Sequence, residues 1–331
     1  MKIVAAIIGS GIGLQHFKAI QNFKGSKIKY ICEKNSQKRN ILKRKFPSVQ
    51  IIESPKKIFK DPKINLVSIA SYDNYHYKQV QKCIENKKHF VVEKPLCLSR
   101  DELKKIYSSL KKNKKIKMTT NLVLRCNGLF NEFRKKINLK DLFYIEADYI
   151  WGRKYKLFEW RSKIKQYSVT LGAAVHMIDL VLWLTNLKPT SVISFGNSKV
   201  TQNSKFKKNN LVISMLKFPK NINVKISANA AGIYEHFHEI KVFQKNDTLV
   251  NSRLGSFQYN LSKKGSVIKK FKKSLYPDKK NRGRIIQNFI KEILYKKKPS
   301  IKIKDQIDLM SICFAIEDSI KLKKEVKIKY L

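Results

Sequence analysis

The chain is poor in acidic residues. Its 24 aspartates and glutamates face 71 lysines and arginines, and the formal net charge at pH 7 is +47. So large a positive charge is typical of proteins that bind nucleic acid. Arginine, however, supplies only 10 of the 71 cations, and the sequence has no recognised DNA- or RNA-binding motif. We therefore expect no nucleic-acid function, although the field would attract anionic small molecules such as nucleotides and nucleotide sugars.

Long apolar runs and cysteine clusters are also missing. No stretch is long enough to span a bilayer, and the short apolar run at the N-terminus leads into glycines and an amphipathic helix instead of a cleavage site. The five cysteines are scattered, without a CxxC pair or a Cys/His cluster, which predicts neither a zinc site nor a disulfide framework. We expect a soluble, cytoplasmic protein with reduced thiols, no bound metal and no membrane partner.

The first sixteen residues carry the clearest pattern. An apolar strand, Ile3–Ile8, ends in Gly9-Ser10-Gly11-Ile12-Gly13 and then becomes helical. Gly9 permits the turn, and Gly11 lets the backbone approach a pyrophosphate seated on the helix N-terminus. Leu14 stands where a complete G-x-G-x-x-G motif has its last glycine.

A second strand supports the same interpretation. Ile28–Cys32 ends in Glu33, the place where dinucleotide-binding folds hold the ribose hydroxyls. Because a carboxylate repels a 2′-phosphate, Glu33 favours NAD. Lys34 and Arg39 follow closely and could allow NADP.

Strands and helices alternate to about residue 122, which predicts a Rossmann-type, doubly wound parallel sheet over residues 1–122. The last strand of that domain is predicted over Lys115–Leu124. Residues 123–331 instead show strands with hairpin-like spacing, which predicts a second domain with a mostly antiparallel, open sheet. The fold class is thus α/β followed by α+β, and the last helices could pack back on the first domain.

Four motifs in this order resemble the glucose–fructose oxidoreductase, inositol dehydrogenase and MocA (Gfo/Idh/MocA) family. They are the glycine turn ending in His16, the segment Ser71–His76, the tripeptide Glu93-Lys94-Pro95, and Gly172–Asp179 followed by Trp183-Leu184. The resemblance covers essentially the whole chain. It implies that the cofactor lies against Gly9, Gly11, Ile12, Gly13, Glu33, Ser71, Asn74, His76, Glu93 and Lys94.

The resemblance also implies the catalytic pair. Oxidation of a sugar hydroxyl needs a cation beside the oxygen and a base for the proton, and a histidine can accept that proton near neutral pH. By resemblance, Lys94 is the cation and His176 the base. Many family members carry an aspartate four residues before this histidine, where this chain has Gly172. Either Lys94 and His176 suffice, or another group such as Tyr167 relays the proton.

Further candidates flank this motif. Asp179, three residues after His176, is predicted to contact or orient the substrate, and Trp160-Arg161 resembles a family Trp-Arg that approaches cofactor or substrate. Arg153 and Lys156 either pair with a phosphate or carboxylate or are solvated surface cations. His236 and His238 would face the same side of a strand, and we interpret them as structural or as lining the cleft.

The sequence therefore predicts an NAD-dependent oxidoreductase, with NADP also allowed, acting on a sugar, sugar acid or nucleotide sugar. Two alternatives stay open: a reductase of imines or other non-sugar substrates, and a non-catalytic dinucleotide-binding or sensor protein of the same fold. The family resemblance also implies a homodimer or homotetramer, because the open sheet has a face that needs covering.

Overall fold

The computed structural model describes residues 2–263, 265–271, 276 and 278–331. The chain divides into two compact units. The first comprises residues 1–123 and 280–307, and the second comprises residues 124–279 and 308–331. Residues 280–307 therefore belong to the first unit, although the segments before and after them in the chain belong to the second.

The first unit is built on a six-stranded parallel sheet with the order β3-β2-β1-β4-β5-β6. Its strands are β1 (Ile3–Ile8), β2 (Ser26–Cys32), β3 (Gln50–Ile52), β4 (Leu66–Ile69), β5 (His89–Val92) and β6 (Met118–Thr120). The central strands are almost wholly apolar, as expected for strands covered on both faces. The predicted doubly wound sheet is confirmed.

Nine α-helices accompany the sheets in the described part of the chain. They are α1 (Gly13–Gln21), α2 (Ser36–Lys45), α3 (Lys56–Lys60), α4 (Asp73–Glu85), α5 (Arg100–Lys112), α6 (Gly128–Lys136), α7 (Val175–Thr185), α8 (Arg284–Tyr295) and α9 (Ile303–Leu322). Helix α5 is capped by Ser99, whose Oγ accepts from the Glu102 N–H at 3.2 Å. Within these described residues, no helix is long and apolar enough to cross a membrane.

Helix α8 completes the core of the first unit. Its buried residues Ile286, Phe289 and Ile290 belong to the same apolar cluster as Phe17 and Ile20 of α1. The burial of these side chains ties a late segment of the chain to the first helix.

The second unit is built on a nine-stranded sheet with the order β14-β13-β12-β11-β7-β10-β9-β8-β15. Its strands are β7 (Leu142–Ile150), β8 (Ser191–Asn197), β9 (Leu211–Phe218), β10 (Ile222–Asn229), β11 (Phe237–Gln244), β12 (Asp247–Ser252), β13 (Gly255–Ser262), β14 (Gly265–Lys270) and β15 (Val326–Lys327). Every pairing is antiparallel except that of β7 with β10. The predicted mostly antiparallel sheet is confirmed.

One local prediction was wrong, and one helix was not predicted. The strand expected over Lys115–Leu124 is limited to Met118–Thr120, because the chain turns into a short 3₁₀ helix at Val123–Cys126. The sequence also gave no expectation of α6, which starts where Asn127 caps the N–H groups of Leu129 and Phe130.

Candidate active site

The glycine turn after β1 has the shape that a dinucleotide needs. Gly9 has φ +93°, and a Cβ there would lie 2.4 Å from the carbonyl oxygen of Ala70, so only glycine fits. A Cβ on Gly11 would meet no atom within 4 Å, which leaves its backbone open to a ligand. Helix α1 begins at Gly13 without a side-chain hydrogen bond from its N-cap residue, Ile12, and Ile12 itself is 40% exposed. An uncapped helix N-terminus beside an open glycine fits a pyrophosphate.

Glu33 at the end of β2 reaches this turn. Its Oε2 accepts from the backbone N–H of Ser10 at 3.2 Å and from the Ser10 hydroxyl, and its Oε1 accepts from the Asn35 N–H at 3.0 Å. Burial opposes the charged form, but these hydrogen bonds outweigh it and lower the pKa of Glu33. A charged acceptor therefore stands beside the glycine turn, and its role in holding ribose hydroxyls stays a prediction.

The loop after β4 carries three predicted cofactor residues. Ser71 donates its hydroxyl to Gln79 Oε1 at 2.8 Å, and Asn74 is exposed on the first turn of α4. His76 is fully buried, with Nδ1 2.7 Å from the Pro95 carbonyl oxygen and Nε2 3.1 Å from the Ser71 carbonyl oxygen. Its ring therefore joins the loops after β4 and β5, so we expect it to act on the cofactor through their backbone.

Glu93 at the end of β5 is the centre of a buried polar network. Its Oε1 lies 2.9 Å from His16 Nε2 and accepts from Asn121 Nδ2 at 2.7 Å, while His16 Nδ1 lies 2.7 Å from Ser68 Oγ. Burial works against the charge, but His16 and Asn121 more than compensate and lower the pKa of Glu93 to about 2. The backbone N–H of Lys94 donates to Glu93 Oε2 at 3.3 Å, so the network fixes the start of the Lys94 segment. Sequence reasoning missed this role of His16 and Asn121.

In the second unit, His176 is presented by an otherwise buried segment. A π-helical turn, Thr170–Ala174, runs directly into α7. Along Thr170–Val181, which the structure describes in full, His176 alone is not buried. Such π-helical turns occur frequently at functional sites.

The imidazole of His176 belongs to a cluster of rings. The phenol ring of Tyr149, on β7, stacks on it with centroids 5.7 Å apart and planes inclined by 6°. His236 and His238 meet the same Tyr149 ring edge-on, at 5.3 Å and 4.8 Å. The hydroxyl of Tyr276 lies in hydrogen-bond contact with His238 Nδ1. Three of the six histidines in the chain thus surround one tyrosine. The described residues contain no group of three or more His, Cys, Asp or Glu side chains suited to a metal ion.

Tyr167 and Arg161 lie together beside the π-helical turn. The guanidinium of Arg161 stands over the rings of Trp160, Trp151 and Tyr167, at 4.2, 5.0 and 5.9 Å from their centroids. A Cβ on Gly172 would come within 2.2 Å of the Tyr167 hydroxyl oxygen. Tyr167 therefore fills the space next to Gly172, where many family members have their aspartate.

Asp179 is 1% exposed and paired with Arg125. The Arg125 Nε donates to both carboxylate oxygens, at 3.1 and 3.0 Å, and Nη2 donates to Oδ1 at 2.6 Å. Because this carboxylate is buried and fully engaged by Arg125, we interpret Asp179 as a residue that orients α7 and not as one that contacts the substrate. Sequence reasoning missed Arg125, which lies 54 residues before its partner.

The fold and these groups define a two-unit protein with a dinucleotide-binding sheet in its first unit. Residues 3–121 match a family model described as "Oxidoreductase family, NAD-binding Rossmann fold". This match confirms the resemblance to the Gfo/Idh/MocA oxidoreductases over residues 3–121 and the prediction of an NAD-binding domain there.

Curated relatives match part of the chain. Scyllo-inositol 2-dehydrogenase (NADP(+)) IolW of Bacillus subtilis is 27% identical over 147 residues, which cover 43% of this chain and 41% of that protein. The uncharacterized oxidoreductase sll0816 of Synechocystis is 22% identical over 190 residues, or 55% of this chain and 51% of that protein. The matches thus span about half or less of each relative.

Solved structures match the whole chain. Levoglucosan dehydrogenase in complex with NADH and levoglucosan superposes with a TM-score of 0.86 at 17% identity, covering 99% of this chain and 100% of that one. Myo-inositol 2-dehydrogenase from Lactobacillus plantarum superposes with a TM-score of 0.84, also at 17% identity, covering 99% and 100%. Both likenesses concern the fold.

Proposed function

We propose that this protein is an NAD-dependent dehydrogenase acting on a CH–OH group of a sugar, sugar acid or nucleotide sugar. The observation that carries the proposal is His176: a half-buried imidazole, held flat against Tyr149, on a helix that is otherwise buried around it. The reaction needs a hydride acceptor as well as a base, and the dinucleotide-binding edge of the first unit is suited to hold NAD for that purpose. The inositol and levoglucosan dehydrogenases among its relatives and structural neighbours support a polyol substrate.

The cofactor would be held by the glycine turn, with its pyrophosphate on the N-terminus of α1 and its ribose on Glu33. Bound NAD supplies the hydride acceptor for oxidation, or the donor when reduced. Lys94 holds the reacting hydroxyl oxygen and lowers its proton affinity, since an ammonium group stabilises the developing alkoxide. His176 takes the hydroxyl proton, or returns it in the reverse direction.

The rest of the site positions these two groups. The Glu93 network sets the backbone at Lys94, and the paired Asp179 and Arg125 fix α7. Tyr167 lies beside Gly172, where many family members carry an aspartate. Because Tyr167 is 2% exposed, we assign it to holding Arg161, whose guanidinium stands 5.9 Å from its ring centroid, and we assign substrate contact to Arg161.

A binding measurement followed by a turnover measurement tests this function. Quenching of protein fluorescence by NADH should show saturable binding, and absorbance at 340 nm should report reduction of NAD with a panel of polyols, sugar acids and nucleotide sugars. NADH binding without turnover of any member would favour the non-catalytic alternative. Turnover of a cyclic imine but of no hydroxyl compound would favour the imine reductase.

We also propose that the protein forms a homodimer or homotetramer through the outer face of the nine-stranded sheet. Phe195 and Ile213, which pair across β8 and β9, are 65% and 39% exposed, and Met215 on the same face is 37% exposed. Cross-strand acid–base pairs continue this face, as in Lys225 with Asp148 at 3.2 Å. A face with both apolar and paired charged groups suits contact with a second copy of itself. Light scattering at micromolar concentration should show a multiple of 38.7 kDa. Ile213→Asp should reduce that mass while Leu254→Asp, at an exposed hairpin turn, should not.

A further inference from the structure

Three cations lie in the segment between β7 and the π-helical turn, and the charges of Arg153 and Arg161 act on the third, Lys156. Arg161 is held among the three aromatic rings described above, and its Nη1 lies 3.4 Å from the carbonyl oxygen of Lys156. Its guanidinium is therefore fixed in direction before any ligand arrives, which reduces the entropy lost on binding.

The charges of these residues act on one another and on the ring beside His176. Burial, and then the charges of Arg153 and Arg161, lower the pKa of Lys156. Burial raises the pKa of the Tyr149 phenol to about 12, and the positive charges of the same two arginines oppose this rise. Since the Tyr149 ring stacks on His176, the cationic group belongs to the surroundings of the proposed base. The other polar groups facing this ring are His236 and His238, with Tyr276 behind His238.

In the described part of the chain, no ion pair includes Arg153, Lys156 or Arg161. Among the described residues, the charge of Glu159 opposes the lowering of the Lys156 pKa without forming an ion pair. Like charges held close together raise the free energy of the folded protein unless an anion joins them.

The chain's high lysine content does not explain this group. Most cations of this chain are lysines, since arginine supplies only 10 of the 71 basic residues. Two of those ten arginines, Arg153 and Arg161, lie in this segment. Guanidinium groups match carboxylate and phosphate oxygens in a bidentate geometry that ammonium groups cannot reproduce.

We propose that the substrate is an anionic sugar derivative, whose carboxylate or phosphate group is bound by Arg153, Lys156 and Arg161 while its hydroxyl faces His176. This inference rests on the proposed dehydrogenase function and narrows it to substrates with a negative charge. The sugars named for the structural neighbours, inositol and levoglucosan, carry no charge, so the proposal separates this protein from them.

The first test compares matched probes. Binding to the NADH-loaded protein should be measured by calorimetry with glucose, glucuronate, glucose 6-phosphate and UDP-glucose, and turnover should be followed with the same four compounds. Glucuronate or a phosphorylated probe should bind roughly 10- to 100-fold more tightly than glucose, in keeping with charge-assisted hydrogen bonds. The preference between glucuronate and the phosphorylated probes identifies the anionic group. Equal or tighter binding of glucose would overturn the proposal. Charge-selective binding without turnover would support this subsite while removing the dehydrogenase function.

The second test uses two exposed neighbours in the sequence. Arg153→Gln and Lys154→Gln each remove one positive charge from the same loop, and only Arg153 belongs to the group described here. Arg153→Gln should weaken binding of the preferred anionic probe about tenfold, and Lys154→Gln less than twofold. Equal effects of the two variants would mean that the general field attracts the anion, and would contradict a built subsite. Weaker binding of NADH itself in Arg153→Gln would assign the cations to the cofactor and overturn the proposal.

Discussion

The hydroxyl of Tyr167 occupies the space into which a side chain at position 172 would extend: a Cβ on Gly172 would lie 2.2 Å from the hydroxyl oxygen and 2.7 Å from the ring carbon that bears it. Tyr167 is 2% exposed and packs edge-on against Trp160 and Phe206. The ring therefore has little room to swing away. Position 172 therefore has no room for a carboxylate as long as the buried ring of Tyr167 occupies this space.

The first prediction concerns this pair. Gly172→Asp should lower the free energy of unfolding by about 2–3 kcal/mol through overpacking, and should lower activity. Tyr167→Ala should cost less stability in the Gly172→Asp background than in the parent, because the aspartate then occupies space that the ring has left. Thermal unfolding of the two variants and of Tyr167→Ala alone measures the coupling. Strictly additive changes would show that the two positions do not compete for one volume.

The catalytic pair gives the second prediction. Lys94→Ala and His176→Ala should each lower turnover by roughly 10²–10⁴-fold, the usual range for removing a positioned acid or base. Both variants should still bind NADH, since the glycine turn and Glu33 are unchanged. Lys78→Ala, on the exposed face of α4, is the control for loss of a lysine. A His176→Ala enzyme with the parent rate would remove this histidine from the proton route and favour Tyr167 or a water chain.

The stacked ring behind His176 gives the third prediction. Tyr149→Phe keeps the stack and should retain most activity, whereas Tyr149→Leu removes the flat surface that orients the imidazole. We expect Tyr149→Leu to lower kcat about tenfold with a smaller change in KM, because the ring acts on the base and not on binding. A change confined to KM in Tyr149→Leu would instead place this residue in substrate contact.

The fourth prediction is an acid-dependent loss of stability. Because the folded-state pKa of Glu93 is about 2, below its ordinary value of 4.5, its contribution is fully present above pH 4.5 and is lost as the pH falls toward 2. The lost contribution should reach about 3 kcal/mol at most. Urea unfolding between pH 6 and pH 3 should show a smaller decline for Glu93→Gln than for the parent. Glu85→Gln, at a surface position on α4, should decline as the parent does.

The fifth prediction concerns the cofactor. The two cations that could hold a 2′-phosphate are already engaged: Lys34 Nζ lies 4.6 Å from the centroid of the Tyr75 ring, and Arg39 donates to the carbonyl oxygens of Glu33 and Lys34. NADH should therefore bind more tightly than NADPH, and Glu33→Gln should reduce the difference by removing the repulsion. Fluorescence titration with both cofactors decides. Tighter binding of NADPH by the parent protein would defeat the assignment, and would resemble the NADP(+) preference named for the Bacillus subtilis relative.

Some of this structure follows from local sequence and some does not. The β1 turn and the position of Glu33 could be predicted, because an apolar strand, a glycine with positive φ and a helix start are neighbours in the chain. The pairs His16–Glu93 and Arg125–Asp179 join residues 77 and 54 positions apart, and no local pattern reports such a contact. Strand β13 was missed although a local signal was present: in its sequence, GSFQYNLS, Phe257, Tyr259 and Leu261 alternate with polar residues, the pattern of a half-buried strand. The ring cluster depends on how β7 and β11 bring Tyr149 and His238 together, which is a property of register.

The place of α8 has a consequence for synthesis on the ribosome. Phe17 and Ile20 are made before α8, which shares their apolar cluster and is separated from the first part of the unit by the 160 residues from 124 to 283. At a translation rate of about 5–20 residues per second, roughly 8–30 s would pass between the synthesis of residue 123 and that of α8. During that interval one flank of α1 presents apolar surface to the cell, so this stretch of the nascent chain should be the part most in need of a chaperone.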